Sequence, residues 1–267
     1  MARKGTDMTP SIEERGLSYA ENELKYRLAS REDLLRLTEA VSRPDGLLPG
    51  YEPVDLPLAL VGRMYLNRYY DTARRDLFWA NHTYRLRAVA DRQGRLQTHL
   101  QFKECTRQEG AWFVRRELEC RITGWDRPER ALRACEPYIL GQEPNRCHAA
   151  LAETLGMQPP VPLEPAVTMS TYRCTIVLRR TQAPFAGIGA FEVSLDQVLA
   201  VGEGGDTRFL EVETEVIPGD TPERRQSGYL SAVLADLRRL EGILGSEFGL
   251  EPSPRPKYQV ALEALTQ

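Results

Sequence analysis

The sequence lacks the features that mark a membrane-spanning, secreted or zinc-binding protein. No uninterrupted apolar run approaches the roughly 18 residues that a membrane-spanning helix needs. The first 16 residues are polar and have no apolar core, so they are not typical of a secretory signal, and we expect a flexible leader at 1–16. Five cysteines stand far apart with no CxxC pair, which favours reduced thiols in a cytoplasmic protein over disulfides or a zinc site.

The chain also lacks an excess of charge of either sign. Its 35 Lys and Arg residues and 38 Asp and Glu residues leave a net charge of −3 over 267 residues. Such a balance gives no global attraction to nucleic acid or to a membrane surface, and we expect neither as a partner. A site for a polyanion must therefore come from local clustering. We expect a single domain over 17–267, interrupted by a helical, proline-rich insert at about 124–168.

What the sequence does contain is a strand pattern with charges at every second position. Side chains of a β-strand alternate between two faces, so the charges of Glu21-Asn22-Glu23-Leu24-Lys25 share one face. One such segment is ordinarily a solvated strand face. The pattern recurs, however, in the segments 83–89, 112–123, 171–179 and 209–217.

Charge types are sorted by strand in these segments. One strand offers carboxylates at 211, 213 and 215, another offers arginines at 85 and 87, and a third offers both at 115, 117 and 119. A closed antiparallel barrel with these faces inward would enclose a cavity for a cation and a polyanion. Burying so many ions is costly unless they are paired or bound to a ligand, so the pattern indicates function rather than stability.

Helices are predicted between and after the strands. Ser30, with Asp33 three positions on, is typical of an N-cap for a helix that stops before Pro44. The segment Tyr229–Leu244 has strong helical periodicity, with an apolar side that faces the core or, alternatively, a second copy in a homodimer. The other predicted helices span 131–139, 147–155 and 258–265.

In this order the segments resemble the motifs of the CYTH superfamily, the triphosphate tunnel metalloenzymes. Glu21-x-Glu23-x-Lys25 resembles the ExExK signature of that family. The further matching segments are Tyr69-Tyr70-Asp71-Thr72 (YYDT), Tyr84-Arg85-Leu86-Arg87 (LRxR), Lys103 (the strand lysine), Arg115–Glu119 (RxE), Asp196 (the late strand aspartate), Glu211–Glu215 (ExE) and Lys257-Tyr258 (SKY). The resemblance covers about 19–260. It departs from the family at Pro256, where the SKY serine is absent, and at two long inserts, 43–62 and 124–168, which we expect to reshape the tunnel mouth.

The resemblance implies an α+β fold, an eight-stranded antiparallel β-barrel with surrounding helices, that binds a triphosphate and Mg²⁺ or Mn²⁺. The residues implied for phosphate binding are Lys25, Arg85, Arg87, Lys103, Arg115, Arg179 and Lys257, with Arg173 as a second choice beside Arg179. Those implied for the metal are Glu21, Glu23, Glu211, Glu213 and Asp196. Lys25, Glu117 and Glu119 are the implied catalytic residues, and Glu215 is an alternative for orienting water or completing a second metal site.

The function implied is metal-dependent hydrolysis of inorganic tripolyphosphate or of a small organic triphosphate. Thiamine triphosphatase and a class IV-type adenylate cyclase remain alternatives within the same fold. A polyphosphate- or nucleotide-binding module without turnover is the alternative from another class. An RNA-end-processing enzyme would favour a basic surface patch, which the charge balance does not indicate.

Overall fold

Eight strands close into an antiparallel barrel in the computed structural model of the chain, which describes residues 11–13, 18–90, 96–123, 135–202, 204–217, 225 and 228–266. The strands are β1 (Ser11–Glu13), β2 (Ser18–Leu28), β3 (Tyr51–Val54), β4 (Arg63–Asp71), β5 (Thr83–Ala90), β6 (Leu96–Glu109), β7 (Trp112–Thr123), β8 (Glu164–Arg180), β9 (Gly189–Gly202), β10 (Gly205–Val216) and β11 (Glu251–Pro252). The order β7-β6-β5-β4-β8-β9-β10-β2 closes because β2 also pairs with β7. The predicted α+β class and eight-stranded barrel are confirmed.

Helices cover the outer wall of this barrel. They are α1 (Arg31–Val41), α2 (Leu56–Ala59), α3 (Asp76–Trp79), α4 (Arg146–Leu155), α5 (Tyr229–Ser246) and α6 (Lys257–Thr266). Helices α1 and α5 lie on one side, where Leu37 and Leu240 join the core with Leu24 of β2. Helix α4 packs on the opposite side, where Leu151 meets Leu100 of β6. The apolar residues of the strands thus point outward to the helices, which leaves the other strand face for the interior.

Local sequence signals account for where α1 begins. The hydroxyl of Ser30 accepts a hydrogen bond from the backbone N–H of Asp33 at 3.1 Å. The Asp33 carboxylate accepts one in return from the backbone N–H of Ser30, also at 3.1 Å. This reciprocal capping box satisfies two backbone donors at the helix N-terminus, as the sequence predicted.

Strand pairing overrides the local signals in several other places. Pro165 lies inside the predicted proline-rich insert 124–168, yet it belongs to β8 and pairs with Tyr70 at a bulge, where a missing N–H is tolerated. Strand β9 runs from Gly189 to Gly202, so Asp196 lies in its middle. The insert 43–62 contains β3 and α2. Pairing within the closed barrel extends the strands beyond the limits that the sequence periodicity alone indicates.

Three other predictions need qualification. Residues 11–13, inside the predicted leader, pair with β7, and the rest of 1–16 lies outside the described residues. Of the predicted helix 131–139, residues 135–139 are helical and 131–134 lie outside the description. Leu230 does not join the apolar side of α5, because 55% of it is exposed. A homodimer through α5 stays a prediction.

No helix within the described part of the chain combines the length and the apolar character that crossing a membrane requires.

Replacing Ser30 by Ala tests the capping box. We expect the variant to lose about 1 kcal/mol of unfolding free energy, since one backbone donor of α1 loses its side-chain acceptor. Urea denaturation followed by tryptophan fluorescence measures the difference. Ser246→Ala is the matched control, because the Ser246 hydroxyl only bonds the carbonyl of Gly242 within α5. An equal loss in both variants would contradict the capping role.

Candidate functional site

The charged strand faces predicted from the sequence point into the barrel and line a cavity of about 240 Å³. Most of these side chains are almost completely buried, and Asp196 and Glu211 have no exposed surface. Cross-strand register stacks them in rows, such as Thr83–Lys103–Glu117 across β5, β6 and β7 and Ser194–Glu213–Lys25 across β9, β10 and β2. The barrel interior is therefore a charged cavity rather than an apolar core.

One end of the interior is closed by an apolar cluster. Met169, Val198 and Phe209 continue the inward faces of β8, β9 and β10, and α6 contributes Tyr258. The ring of Tyr258 stacks on that of Tyr69, with 5.4 Å between the centroids. The charged residues lie between this cluster and the opposite end of the barrel, which gives the cavity a mouth and a floor.

Near the floor, three carboxylates face three cations. Arg173 holds Asp196 through two hydrogen bonds of 2.7 and 2.6 Å, and Lys257 lies 3.0 Å from the same carboxylate. Glu213 contacts Lys25, Lys257 and Arg173. Burial opposes the ionisation of Glu213, but these three cations outweigh it and hold the pKa of Glu213 well below its usual range. This network neutralises itself.

A second network of ion pairs lies along the wall formed by β2, β7 and β6. Lys103 lies 2.7 Å from Glu21 and 2.9 Å from Glu117. Arg115 Nη1 lies 2.6 Å from Glu23, while its Nε and Nη2 are buried and have no hydrogen-bond acceptor among the described residues. Two donors of this guanidinium are therefore available to an acceptor that the described protein does not supply.

Arg85 and Arg87 of β5 form hydrogen bonds only with neutral oxygens within the described part of the chain. Arg85 donates to Gln101 and to the hydroxyl of Tyr69, both at 2.8 Å. Arg87 donates to Asn67 at 2.9 Å and packs over the ring of Tyr65. Burial, together with the charges of Arg85 and Arg173, lowers the pKa of Arg87 to about 10. Glu117 acts electrostatically on both arginines and Glu119 acts on Arg87, while the hydrogen bonds of the two guanidinium groups within the described chain go to neutral side chains.

On the wall that faces Arg85 and Arg87, Glu215 is a carboxylate without a cationic partner among the described residues. It makes no hydrogen bond or ion pair with any described residue, and it pairs in register with Glu23 of β2 and Glu192 of β9. Burial raises its pKa well above the usual range, and the charges of Glu21, Glu23 and Glu117 raise it further against the effect of Lys103. The cavity thus holds a carboxylate that favours a bound cation or proton.

No family model matches the sequence, and no curated protein does either. Among solved structures, HpAC1, a candidate adenylyl cyclase from Hippeastrum with a dominant triphosphatase activity, matches with a TM-score of 0.53 and 20% identity, over 91% of this chain and 95% of that one. The fold is that of the triphosphate tunnel proteins. A candidate adenylate cyclase from Bacillus halodurans (15% identity, TM-score 0.49, 89% of this chain and 95% of that one) and a Pyrococcus horikoshii protein (14% identity, TM-score 0.48, 92% and 99%) also match.

The triphosphate tunnel fold brings together every predicted phosphate-binding residue except Arg179. Its side chain is 44% exposed and is held by Glu52 of β3 at 2.7 Å. The register of β8 shifts between Leu178 and Arg179, where the strand has run past β4 to pair with β3. Arg173, the second choice, occupies the cavity instead.

The predicted metal set is not assembled at one point. Among the described residues, no three His, Cys, Asp or Glu side chains are grouped to hold a metal ion. Glu21 and Glu23 lie at the level of Glu215, whereas Lys25 pairs with Glu213, and Lys257 reaches both Glu211 and Asp196. The ammonium group of Lys25 lies between the two parts of the predicted set, 3.6 Å from Glu23 and 3.9 Å from Glu211.

Neutral residues of the tunnel site were missed by reasoning from charge alone. Gln101 accepts from Arg85 and donates to Glu117 and Glu119, so it links the basic and acidic walls. Glu119 also contacts His99 Nδ1 at 2.8 Å. Gln101 and His99 share the inward face of β6 with Lys103, and this alternation is the signal that would have found them.

Replacing Glu213 or Glu215, two carboxylates of β10, by neutral glutamine should change the stability of the protein in opposite directions. The pKa of Glu213 is depressed in the folded protein, so its charge stabilises the fold above the unfolded value near 4.5, and this contribution is lost as pH falls. The pKa of Glu215 is raised, so ionising it destabilises the fold as pH rises above 4.5. In EDTA at pH 7.5 we expect Glu213→Gln to lose about 3 kcal/mol, as for a broken buried pair, and Glu215→Gln to gain stability.

Urea unfolding of both variants at pH 7.5 and near pH 4.5 measures these differences. Near pH 4.5 the difference for Glu215→Gln should nearly vanish, whereas that for Glu213→Gln should largely persist, because the pKa of Glu213 in the folded protein lies well below 4.5. A shift in the same direction for the two variants at pH 7.5 would show that the charge environments of Glu213 and Glu215 have been misassigned.

Proposed function

We propose that this chain binds a triphosphate in the barrel cavity and hydrolyses it with the help of Mg²⁺ or Mn²⁺. The observation that carries the proposal is the pair Arg85, which is buried, and Arg87, which is half-buried: the hydrogen bonds of both guanidinium groups go to neutral oxygens among the described residues. Such groups are suited to phosphate oxygens, which accept in bidentate fashion from arginine.

The other cations support a ligand with several phosphate groups. Arg115 lines the cavity and has two buried donor nitrogens without a nitrogen or oxygen acceptor among the described residues, and Lys103 of β6 lines it as well. Lys25 and Lys257 lie near the floor, so cations are available along the depth of the cavity. A single phosphate would meet only part of this set, whereas a chain of phosphates would reach from β5 to the lysines.

The carboxylates of the facing wall are suited by type to a hard divalent cation. Carboxylate oxygens are the ligands that Mg²⁺ and Mn²⁺ prefer. Glu215, which has no partner among the described residues, and Glu23, its register neighbour on β2, would contribute carboxylate oxygens to an ion that also takes phosphate and water ligands, and a bound ion would remove the electrostatic penalty on Glu215. Such a metal supplies charge neutralisation at the phosphates and lowers the pKa of bound water.

The chain's own groups would contribute positioning and charge stabilisation. Arg85, Arg87 and Arg115 would fix the phosphate oxygens, and Lys25 would stabilise charge that develops on the transferred group. Glu117 and Glu119, both bonded to Gln101, are placed to accept hydrogen bonds from a water molecule beside those phosphates. Burial of the cavity strengthens each of these interactions by excluding bulk water.

Incubation with Mg²⁺ or Mn²⁺ and with tripolyphosphate, thiamine triphosphate or ATP tests the reaction. We expect orthophosphate to appear in the phosphorus NMR spectrum, and EDTA to abolish its release. Formation of pyrophosphate and a cyclic nucleotide from ATP would show that the reaction is cyclisation and not hydrolysis. Tight binding of all three compounds without any product would overturn the proposal of an enzyme.

Arg87→Gln tests the role of the β5 arginines. We expect kcat/KM for the hydrolysed triphosphate to fall by about 100-fold, since a preorganised donor to a charged oxygen is lost. Arg179→Gln is the matched control, because Arg179 is largely exposed and paired with Glu52 outside the cavity, and it should stay within about twofold of the wild type. Equal losses in the two variants would contradict the assignment of Arg87.

A further inference from the structure

A second cavity, of about 430 Å³, adjoins the mouth of the charged cavity. Tyr65, Arg173, Thr175 and Glu192 line both cavities, so the two spaces are neighbours. We call the second cavity the annex. Its size falls within the range of about 300–1,000 Å³ that is typical of small-molecule sites.

The annex is built by the insert 43–62, which the charged motifs do not require. Strand β4 pairs with β8 as far as Arg63 and Arg173, and β3 takes up the same edge of β8 at Val54 and Val177. Between these two pairings the chain passes through α2, and this excursion forms the outer wall of the annex. The insert therefore places its own side chains at the mouth of the site.

The walls of the annex differ in chemistry from the charged cavity. Val54, Ala59, Val61 and Val177 give it an apolar side, and Tyr65 adds an aromatic ring at the junction. An inorganic polyphosphate has no apolar surface to place against these residues. The annex is suited instead to an organic group with an apolar face.

The charged residues of the annex indicate which kind of organic group it would bind. Asp55 and Glu192 line it and make no side-chain hydrogen bond or ion pair with any described residue. Arg63 is the opposing charge and likewise makes no side-chain hydrogen bond or ion pair with any described residue, whereas Arg173 is already held by Asp196 and Glu213. Two free carboxylates against one free guanidinium, with Glu215 next to Glu192 in register, disfavour a further phosphate and favour a positive charge or N–H donors.

We propose that the annex binds the organic group of an organic triphosphate, and that this group is an aromatic or apolar one that carries a positive charge or N–H donors. The inference rests on the proposed function, because the triphosphate itself occupies the charged cavity. The organic group then lies toward the mouth and the phosphates toward the floor. Asp55 and Glu192 determine specificity, and the charged cavity carries out the reaction.

The test compares thiamine triphosphate, which has a fixed positive charge, ATP, which has an N–H donor without that charge, and tripolyphosphate, which has no organic group. The variants are Asp55→Asn, which keeps a residue that tolerates the positive φ of 48° at this position, and Val61→Trp, which fills the annex from an exposed position. Asp206→Asn, an exposed change in β10 at the far end of the barrel, is the matched control.

In the wild type we expect at least one organic triphosphate to have a higher kcat/KM than tripolyphosphate. Asp55→Asn and Val61→Trp should lower kcat/KM for that compound about tenfold, as expected for one charge-assisted contact, and leave tripolyphosphate within about twofold. Asp206→Asn should change neither. A parallel loss for tripolyphosphate, or no loss for the organic compounds, would overturn the annex as a binding site while leaving hydrolysis itself intact.

Equilibrium binding separates this proposal from the reaction. Isothermal titration calorimetry in EDTA measures the affinity of the same three compounds without turnover. If the wild type hydrolyses none of them, the proposed function fails. The annex is still supported if an organic triphosphate binds more tightly than tripolyphosphate and the two annex variants remove that difference, and it is overturned if all three compounds bind equally.

Discussion

The rest of the structure depends on the mutual neutralisation of charges buried inside the barrel. Glu213 is held by Lys25, Lys257 and Arg173, and Lys103 bridges Glu21 and Glu117. Each of these ions would be costly to bury alone, so the strands must stay in the register that pairs them. Because the interior is charged, the apolar strand face has to point outward, and it is this face that α1, α4 and α5 cover.

This neutralisation is incomplete on two walls of the cavity, and these are the places suited to a ligand. Arg85 and Arg87 have neutral partners on one wall, and Glu215 has no partner among the described residues on the other. An interior built only for stability would have closed these pairs or replaced them by apolar residues. The imbalance lies between the apolar floor at Tyr258 and the mouth, so the proposed polyanion would have a defined orientation in the cavity.

The two inserts have different consequences because they join different parts of the barrel. The first, 43–62, pairs with the end of β8 and so reaches the mouth of the cavity. The second packs on the outer wall through α4, where His148 accepts a hydrogen bond from the backbone N–H of Val161 at 2.9 Å and its other ring nitrogen contacts the carbonyl of Ile139. Burial lowers the pKa of His148, which is consistent with a neutral ring that ties the described part of this insert together. Of the described parts of the two inserts, only the first lies at the mouth of the cavity.

The sequence by itself determined which faces of the strands carry charge, because alternation is a local property of an extended backbone. It also determined the start of α1, since the Ser30–Asp33 cap is made within four residues, and its motif order indicated a closed barrel. It did not separate Arg173 from Arg179, and it grouped Glu21 and Glu23 with Glu211 and Glu213 although Lys25 lies between them. Those outcomes depend on register, bulges and the distance that β8 extends past β4, which strands far apart in the chain decide only when they pair. Tertiary structure alone therefore decided which charges remain unbalanced, and with them where a ligand would bind.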